Sequence, residues 1–294
     1  MAKGWHEALR LILVSFLLAL SIERTFAIDL QPGDVKPLKP GTDFGQISFR
    51  FSSYDGLYLN GEKQSSYDGD SARYQIRLGH FFEILNLPAV GYVQTGLANI
   101  QPDQGMGKAG TDAGIEDTVA LLALWPYADH DSQTYLGFGV YGLLPTGSYD
   151  NDLGAFNIGE NRYWTALQTA FQTKLCQRFI FMTALDGIWF STNPDFAPAH
   201  LELDQKPLYS AQVAITYEMA EALTLSANYF YTWGGETLID GIPQDNANEL
   251  HRYQVSAVAA LPVGRLMLQY GGDLQRKTGL FEESRFNIRL VQVY

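Results

Sequence analysis

From residue 42 onward the chain alternates apolar and polar side chains with a period of two. That period belongs to strands, because helical apolar positions recur every 3.6 residues. Ile47, Phe49 and Phe51 alternate with Gln46, Ser48, Arg50 and Ser52. Tyr74, Ile76, Leu78 and Phe82 alternate with Arg73, Gln75, Arg77 and Gly79, and His80 falls on the apolar face. Leu223, Leu225, Tyr229, Tyr231 and Trp233 alternate with Thr224, Ser226 and Asn228. Near the C-terminus Phe286, Ile288, Leu290 and Tyr294 alternate with Arg285, Asn287 and Arg289, and Gln292 interrupts the apolar face.

Reading the whole chain this way gives twelve candidate strands, near 43–54, 71–83, 89–100, 113–125, 133–144, 161–174, 178–190, 207–218, 222–233, 250–261, 264–274 and 284–294. Most are 11 to 14 residues long. A strand of a globular protein usually has about 5–6 residues, whereas a tilted strand crossing a bilayer needs about 9–11. Past the first thirty positions no apolar run approaches the roughly 20 residues of a membrane-spanning helix. A chain of this pattern crosses a membrane only as a closed barrel, in which each strand is apolar on one face. The reading is therefore all-β: a transmembrane antiparallel up-and-down β-barrel of about twelve strands. A soluble β-sandwich is the alternative, and strand length argues against it.

The connections alternate in size. Short ones fall near 84–88, 126–132, 175–177, 219–221 and 262–263; long polar ones fall near 55–70, 101–112, 145–160, 191–206 and 234–249, with 275–283 shorter. Long extracellular loops and short periplasmic turns are the outer-membrane arrangement, and an even strand count puts both ends of the barrel in the periplasm. A terminal strand ending on the aromatic Tyr294 fits the signal read by the outer-membrane assembly machinery.

Residues 1–27 have the parts of a secretory signal. Lys3 and Arg10 give a basic start, Leu11 to Leu20 a ten-residue apolar core, and Thr25-Phe26-Ala27 a cleavage site after Ala27. The expected destination is the outer membrane of a Gram-negative cell, with lipids as partners. Residues 28–42 carry Pro32, Pro37 and Pro40, which suit an extended segment outside any ladder. It is either a periplasmic leader or a plug in the lumen. Residues 43–294 form the barrel.

The formal charge is −12, a poor match to nucleic acid. Cys176 is the only cysteine, so no intrachain disulfide forms, and no Cys/His cluster has metal-ligand spacing. No cofactor is expected. With the apolar face on lipid, the lumen is lined by Gln46, Ser48, Arg50, Arg73, Gln75, Arg77, Gln168, Asn228, Gln269, Asp273, Arg285, Asn287 and Arg289. Closure of the last strand on the first would gather Arg50, Arg73, Arg77, Arg285 and Arg289 on one wall. Glu116, Asp117, Asp186 or loop carboxylates could pair with them, since unpaired buried charge is costly. A twelve-stranded lumen lies between the side-chain-filled interior of about 8 strands and the aqueous channel of 16–18. Trp164, Trp189, Tyr231 and Trp233 are placed at outer strand ends, as interfacial anchors or as solute contacts. His80, His130, His200 and His251 sit in no nucleophile motif of the G-x-S-x-G kind, so an enzyme is not expected. Asp245 to Glu249 offers oxygen ligands without a full calcium-loop pattern.

Several stretches resemble the family of outer-membrane proteins named for the meta-pathway of phenol degradation. They are IDLQPGDVKPLKPGTDFG at 28–45, LPTGSYD at 144–150, NIGENRYW at 157–164, DQKPLYSAQ at 204–212, YFYTWGGETLIDG at 229–241, LQYGGDL at 268–274 and ESRFNIRL at 283–290. The resemblance implies a barrel for passive uptake of small hydrophobic or aromatic compounds, without naming the solute. Two other readings stay open: a structural or surface-interaction barrel with a filled lumen, and an outer-membrane lipid-modifying enzyme.

Overall fold

The computed structural model describes residues 28–102 and 112–294. The expected signal segment and residues 103–111 of the second long loop lie outside the described residues. The strands are Asp43–Leu59 (β1), Glu62–Ile84 (β2), Leu87–Pro102 (β3), Asp112–Ile115 (β4), Thr118–Asp129 (β5), Thr134–Leu144 (β6), Trp164–Cys176 (β7) and Phe179–Phe190 (β8). They continue with Asn193–Phe196 (β9), Leu201–Gln205 (β10), Leu208–Ala220 (β11), Leu223–Gly234 (β12), Thr237–Ile239 (β13), Ile242–Pro243 (β14), Asn248–Leu261 (β15), Gly264–Arg276 (β16) and Gly279–Val293 (β17).

Thirteen of these make one antiparallel sheet in the order β2-β1-β17-β16-β15-β12-β11-β8-β7-β6-β5-β3-β4, and β2 also pairs with β3, which closes it. β4 and β5 both lie on β3, so together they form one stave of a twelve-stranded barrel. The fourth expected strand, 113–125, is thus broken at Glu116-Asp117. Both carboxylates turn inward there: Glu116 takes hydrogen bonds from Arg73 and Gln75, and Asp117 accepts from the backbone of Gly147 and Glu160.

Side chains that point outward are apolar and uncovered. Ile47, Leu78, Leu167 and Leu185 are each more than half exposed, on four different strands. A water-soluble monomer rarely exposes an apolar patch beyond a few hundred Å²; a belt running around the barrel is a lipid-facing surface. The inward set is buried: Ser48, Arg50, Gln168, Gln212, Gln254 and Gln269 are all below a tenth exposed.

The expected loop at 55–70 is instead strand. β1 and β2 remain paired to Leu59 and Glu62 through irregularities around Leu57, and turn on Asn60-Gly61, both with positive φ. Asn-Gly is the preferred pair for such a tight hairpin turn; the Ser/Asp/Gly composition conceals the ladder. The expected loops at 191–206 and 234–249 likewise hold β9, β10, β13 and β14, which form a small separate sheet over that end of the barrel.

Candidate functional site

The closed sheet encloses a lumen, and two walls of different chemistry line it. On β2, β3, β5, β6, β7 and β8 the inward positions are largely apolar: Phe81, Val90, Tyr92, Trp125, Tyr141, Ala170 and Ala184 are buried. Phe81 stacks on Trp125 at 6.1 Å, and Phe44 packs near both Phe81 and Tyr92. On β15, β16, β17, β1 and the adjoining part of β2 most of the inward positions are Arg, Gln, Asn and Ser. The stretch Val119 to Trp125 is apolar at every position, a sign that both faces of that strand meet apolar surroundings. The alternation elsewhere directs attention to a polar lumen only, so the aromatic wall was not among the sequence candidates.

Residues 28–38 run between these walls. Their apolar side chains meet the aromatic side: Leu30 and Val35 join the cluster with Phe81, Val90 and Trp125, and Ile28 joins Tyr141, Trp164 and Ile188. Their polar groups meet glutamines and arginines. The Leu30 amide donates to Gln212 Oε1 (3.1 Å), and Gln212 Nε2 donates back to the Leu30 carbonyl (2.6 Å). Gln168 donates to the Ile28 carbonyl (2.8 Å), and Trp125 Nε1 to the Val35 carbonyl (2.7 Å). Gln254 and Gln269 both donate to Gln31 Oε1. Arg252 pairs with Asp29 at 2.8 Å. Arg265 donates to the Pro32 carbonyl (2.9 Å), and a Cβ on Gly33, whose φ is +91°, would stand 2.7 Å from that guanidinium. The positive φ favours glycine there, whereas the Arg265 side chain could shift to admit a Cβ. Pro32 and Gly33 are the central residues of a turn closed by the Asp34 amide donating to the Gln31 carbonyl (2.9 Å), and the fixed φ of proline suits the first of those positions.

The segment leaves a cavity of about 180 Å³ beside it, lined by Phe44, Phe81, Tyr92, Trp125, Arg77 and Arg289 among others. Toward the long-loop end Tyr54, Leu57, Ala98, Ile100, Ile158 and Leu280 form an apolar cluster across the lumen. Ile158 comes from the 145–163 connection, which is drawn inward by its bonds to Asp117 and by Asn157, whose side chain bonds Asp150 and Gly154.

All nine of the principal lumen candidates face inward and are buried: Arg50, Arg73, Arg77, Gln168, Asn228, Gln269, Arg285, Asn287 and Arg289. Several of the arginines have local partners, some of them carboxylates. Arg73 pairs with Glu116 and Arg285 with Glu282, Arg276 pairs with Asp273, and Arg77 donates to Gln94 and lies 4.3 Å over the Tyr92 ring. Asp186, one of the carboxylates considered as a partner, instead accepts from Gln168 and Ser210.

Of the four outer-rim aromatics, Trp189, Tyr231 and Trp233 point outward near the long-loop end. Tyr231 stacks between Trp233 (5.1 Å) and His251 (4.7 Å), and Trp233 also stacks on Tyr209. Trp164 is a correction: it is 3% exposed and faces the lumen, because it shares the parity of Ala166 and Gln168 on β7. In the 245–249 stretch Asn246 is committed to the backbone and hydroxyl of Thr237.

A closed twelve-stranded barrel with an apolar belt and a buried polar wall is the structure of an outer-membrane β-barrel protein. The chain superposes on the crystal structure of an outer membrane channel from Pseudomonas putida F1 with a TM-score of 0.86 and 30% identity, over 90% of this chain and 100% of that one. The β domain of the Bordetella autotransporter BrkA is also similar, with a TM-score of 0.52 and 12% identity over 85% of this chain and 99% of that one, a likeness of fold alone. Comparison with curated proteins gives no match. Residues 92–290 match the family model described as "Putative MetA-pathway of phenol degradation", and the chain belongs to that family.

Proposed function

We propose that this barrel is a passive channel for the uptake of small hydrophobic or aromatic compounds across the outer membrane. The observation that carries the reading is the cavity between the inserted segment and the Phe81–Tyr92–Trp125 wall. It offers aromatic faces for stacking at the centre of a membrane barrel. The family's description and the channel from Pseudomonas putida support it. In this reading Ile28–Leu38 is a movable plug, held by side-chain hydrogen bonds that can be exchanged for water, and Trp189, Tyr231 and Trp233 gather solute at the outer membrane surface. The Asn157- and Asp117-anchored loops and the apolar cluster beneath them narrow the outer mouth, which favours small solutes.

A filled barrel that serves only as a surface scaffold is the second reading, favoured by how much of the lumen the segment and the outer cluster occupy. Uptake separates the two. Proteoliposomes carrying the refolded barrel should accumulate labelled one-ring aromatics faster than empty liposomes, and faster than linear aliphatics of equal size. A barrel shown to be folded by its heat-modifiable gel mobility, with no uptake of either class, would reject the channel.

A further inference from the structure

The cation wall of the lumen is not fully neutralised. Arg50 and Arg289 are 9% and 7% exposed, and each has a buried Nε without a hydrogen-bond partner. Among the described residues neither makes an ion pair. Their neighbours do not supply one: Arg50 stands opposite Arg73 across β1 and β2 and opposite Asn287 across β1 and β17, and Arg289 stands opposite Ser48. Asn287 leaves its own Oδ1 without a partner. Glu116 and Glu282 are engaged by Arg73 and Arg285. Asp29 and Asp34 act on Arg289 through space but do not touch it.

Arg289 and Arg77 line the cavity together with Phe81, Tyr92 and Trp125, Arg77 lying 4.3 Å over the Tyr92 ring; Gln46 adds an amide, and Asp29 and Asp34 of the inserted segment also line it. An apolar cavity of about 150 Å³ holds benzene, so the cavity of about 180 Å³ here holds one ring with a small substituent. A buried guanidinium with free donors is satisfied best by a planar carboxylate, which it binds through two parallel hydrogen bonds. A carboxylate resting there would also offset the repulsion among the clustered arginines, which a neutral aromatic cannot do.

We propose that Arg289, assisted by Arg77, forms a subsite for the carboxylate of a small aromatic acid whose ring lies against the Phe81–Tyr92–Trp125 wall. Arg50 stands one step further toward the outer face and receives the same group along the route. As a statement about solute class the inference rests on the channel reading above; the subsite itself is a matter of binding. The net charge of −12 does not oppose it, because a local cluster in a low-dielectric lumen outweighs a distant, screened surface charge.

The test is equilibrium dialysis of the refolded full barrel in detergent micelles at neutral pH, against labelled benzoate and its neutral analogue benzyl alcohol, with uptake measured on proteoliposomes from the same preparation. Benzoate should bind saturably and at least tenfold tighter than benzyl alcohol. Arg289→Gln should weaken benzoate by about tenfold to a hundredfold, the worth of a hydrogen bond to a charged group, and leave benzyl alcohol unchanged. Arg289→Lys, which keeps the charge but loses the fork, should fall between. Equal binding of the two compounds by the wild-type barrel overturns the subsite, and this comparison needs no variant to fold. Wild-type benzoate affinity in a folded Arg289→Gln barrel overturns it too. A barrel that binds benzoate through Arg289 but takes up nothing keeps the subsite and rejects the channel. One that takes up neutral aromatics without preferring benzoate keeps the channel and rejects the subsite.

Discussion

Gln31 offers the most direct handle on the inserted segment. Its side chain is 1% exposed, and its Oε1 is the shared acceptor for Gln254 Nε2 and Gln269 Nε2. Gln31→Leu keeps the size and removes the acceptor. Each buried amide then loses its best partner at about 1–3 kcal/mol. The low end applies here, because Ser256 Oγ still lies 3.3 Å and 3.2 Å from the two donors. The sum is about 2–3 kcal/mol against the seated state, which raises the released fraction roughly 30- to 150-fold at 1.4 kcal/mol per tenfold. The assay is labelling of Leu30→Cys, in a Cys176→Ser background, by a bulky maleimide that reacts only when the segment leaves the lumen. The labelling rate should rise by that factor on adding Gln31→Leu, with heat-modifiable mobility unchanged. An unchanged rate would show that these glutamines do not hold the segment in place.

Three other outcomes follow from the same structure. Glu116→Ala strands the buried Arg73 guanidinium and should cost about 3–5 kcal/mol in urea unfolding from micelles, whereas Arg73→Met with Glu116→Leu should recover most of it. Hydrogen bonds from His200 and Lys206 hold the loop carboxylates Asp195 and Glu236 below the usual carboxylate range. Depressed values mean that their contribution is present above the unfolded-state value near 4 and is lost as pH falls through the lower folded value. The protection of β10 and β13 amides, with the intrinsic pH dependence of exchange divided out, should therefore fall only on acidification below about pH 4, and a loss of protection between pH 8 and 6 would contradict this. Trp233→Ala removes two stacking partners, each pair worth about 0.5–1.5 kcal/mol beyond burial. It should lower the unfolding midpoint in lipid while leaving benzoate binding intact.

The barrel is legible in the sequence because one face of each strand answers to lipid and the other does not, so a period of two survives over ten or more residues at Ile47–Phe51, Tyr74–Leu78 and Phe286–Leu290. It is lost where that contrast ends. Beyond the lipid belt β1 and β2 carry no apolar stripe, and their hairpin is signalled only by Asn60-Gly61. Around β5 both faces are apolar, so alternation vanishes and with it the sign that Trp125 looks inward. The arginine wall could be read from parity alone, since closure fixes Arg50 beside Arg73 and near Arg289. Which arginines find a carboxylate could not be read, because Glu116 sits at a strand break and Asp29 belongs to a segment whose place in the lumen no local pattern specifies. Trp164 is a different case: it shares the parity of the lumen candidate Gln168, so its inward direction is legible in the sequence, and a place at a strand end does not by itself make an outer-surface anchor.

The central claim is that solute passes through the aromatic side of the lumen. Ala170 lines that cavity and is 8% exposed, so Ala170→Trp sets an indole in the path. The measurement is uptake of a labelled one-ring aromatic into proteoliposomes carrying either barrel, both shown to be folded by heat-modifiable mobility. The account predicts uptake by the wild-type barrel and near-background uptake by Ala170→Trp. Equal, well-above-background uptake by the two would place the path elsewhere and contradict it.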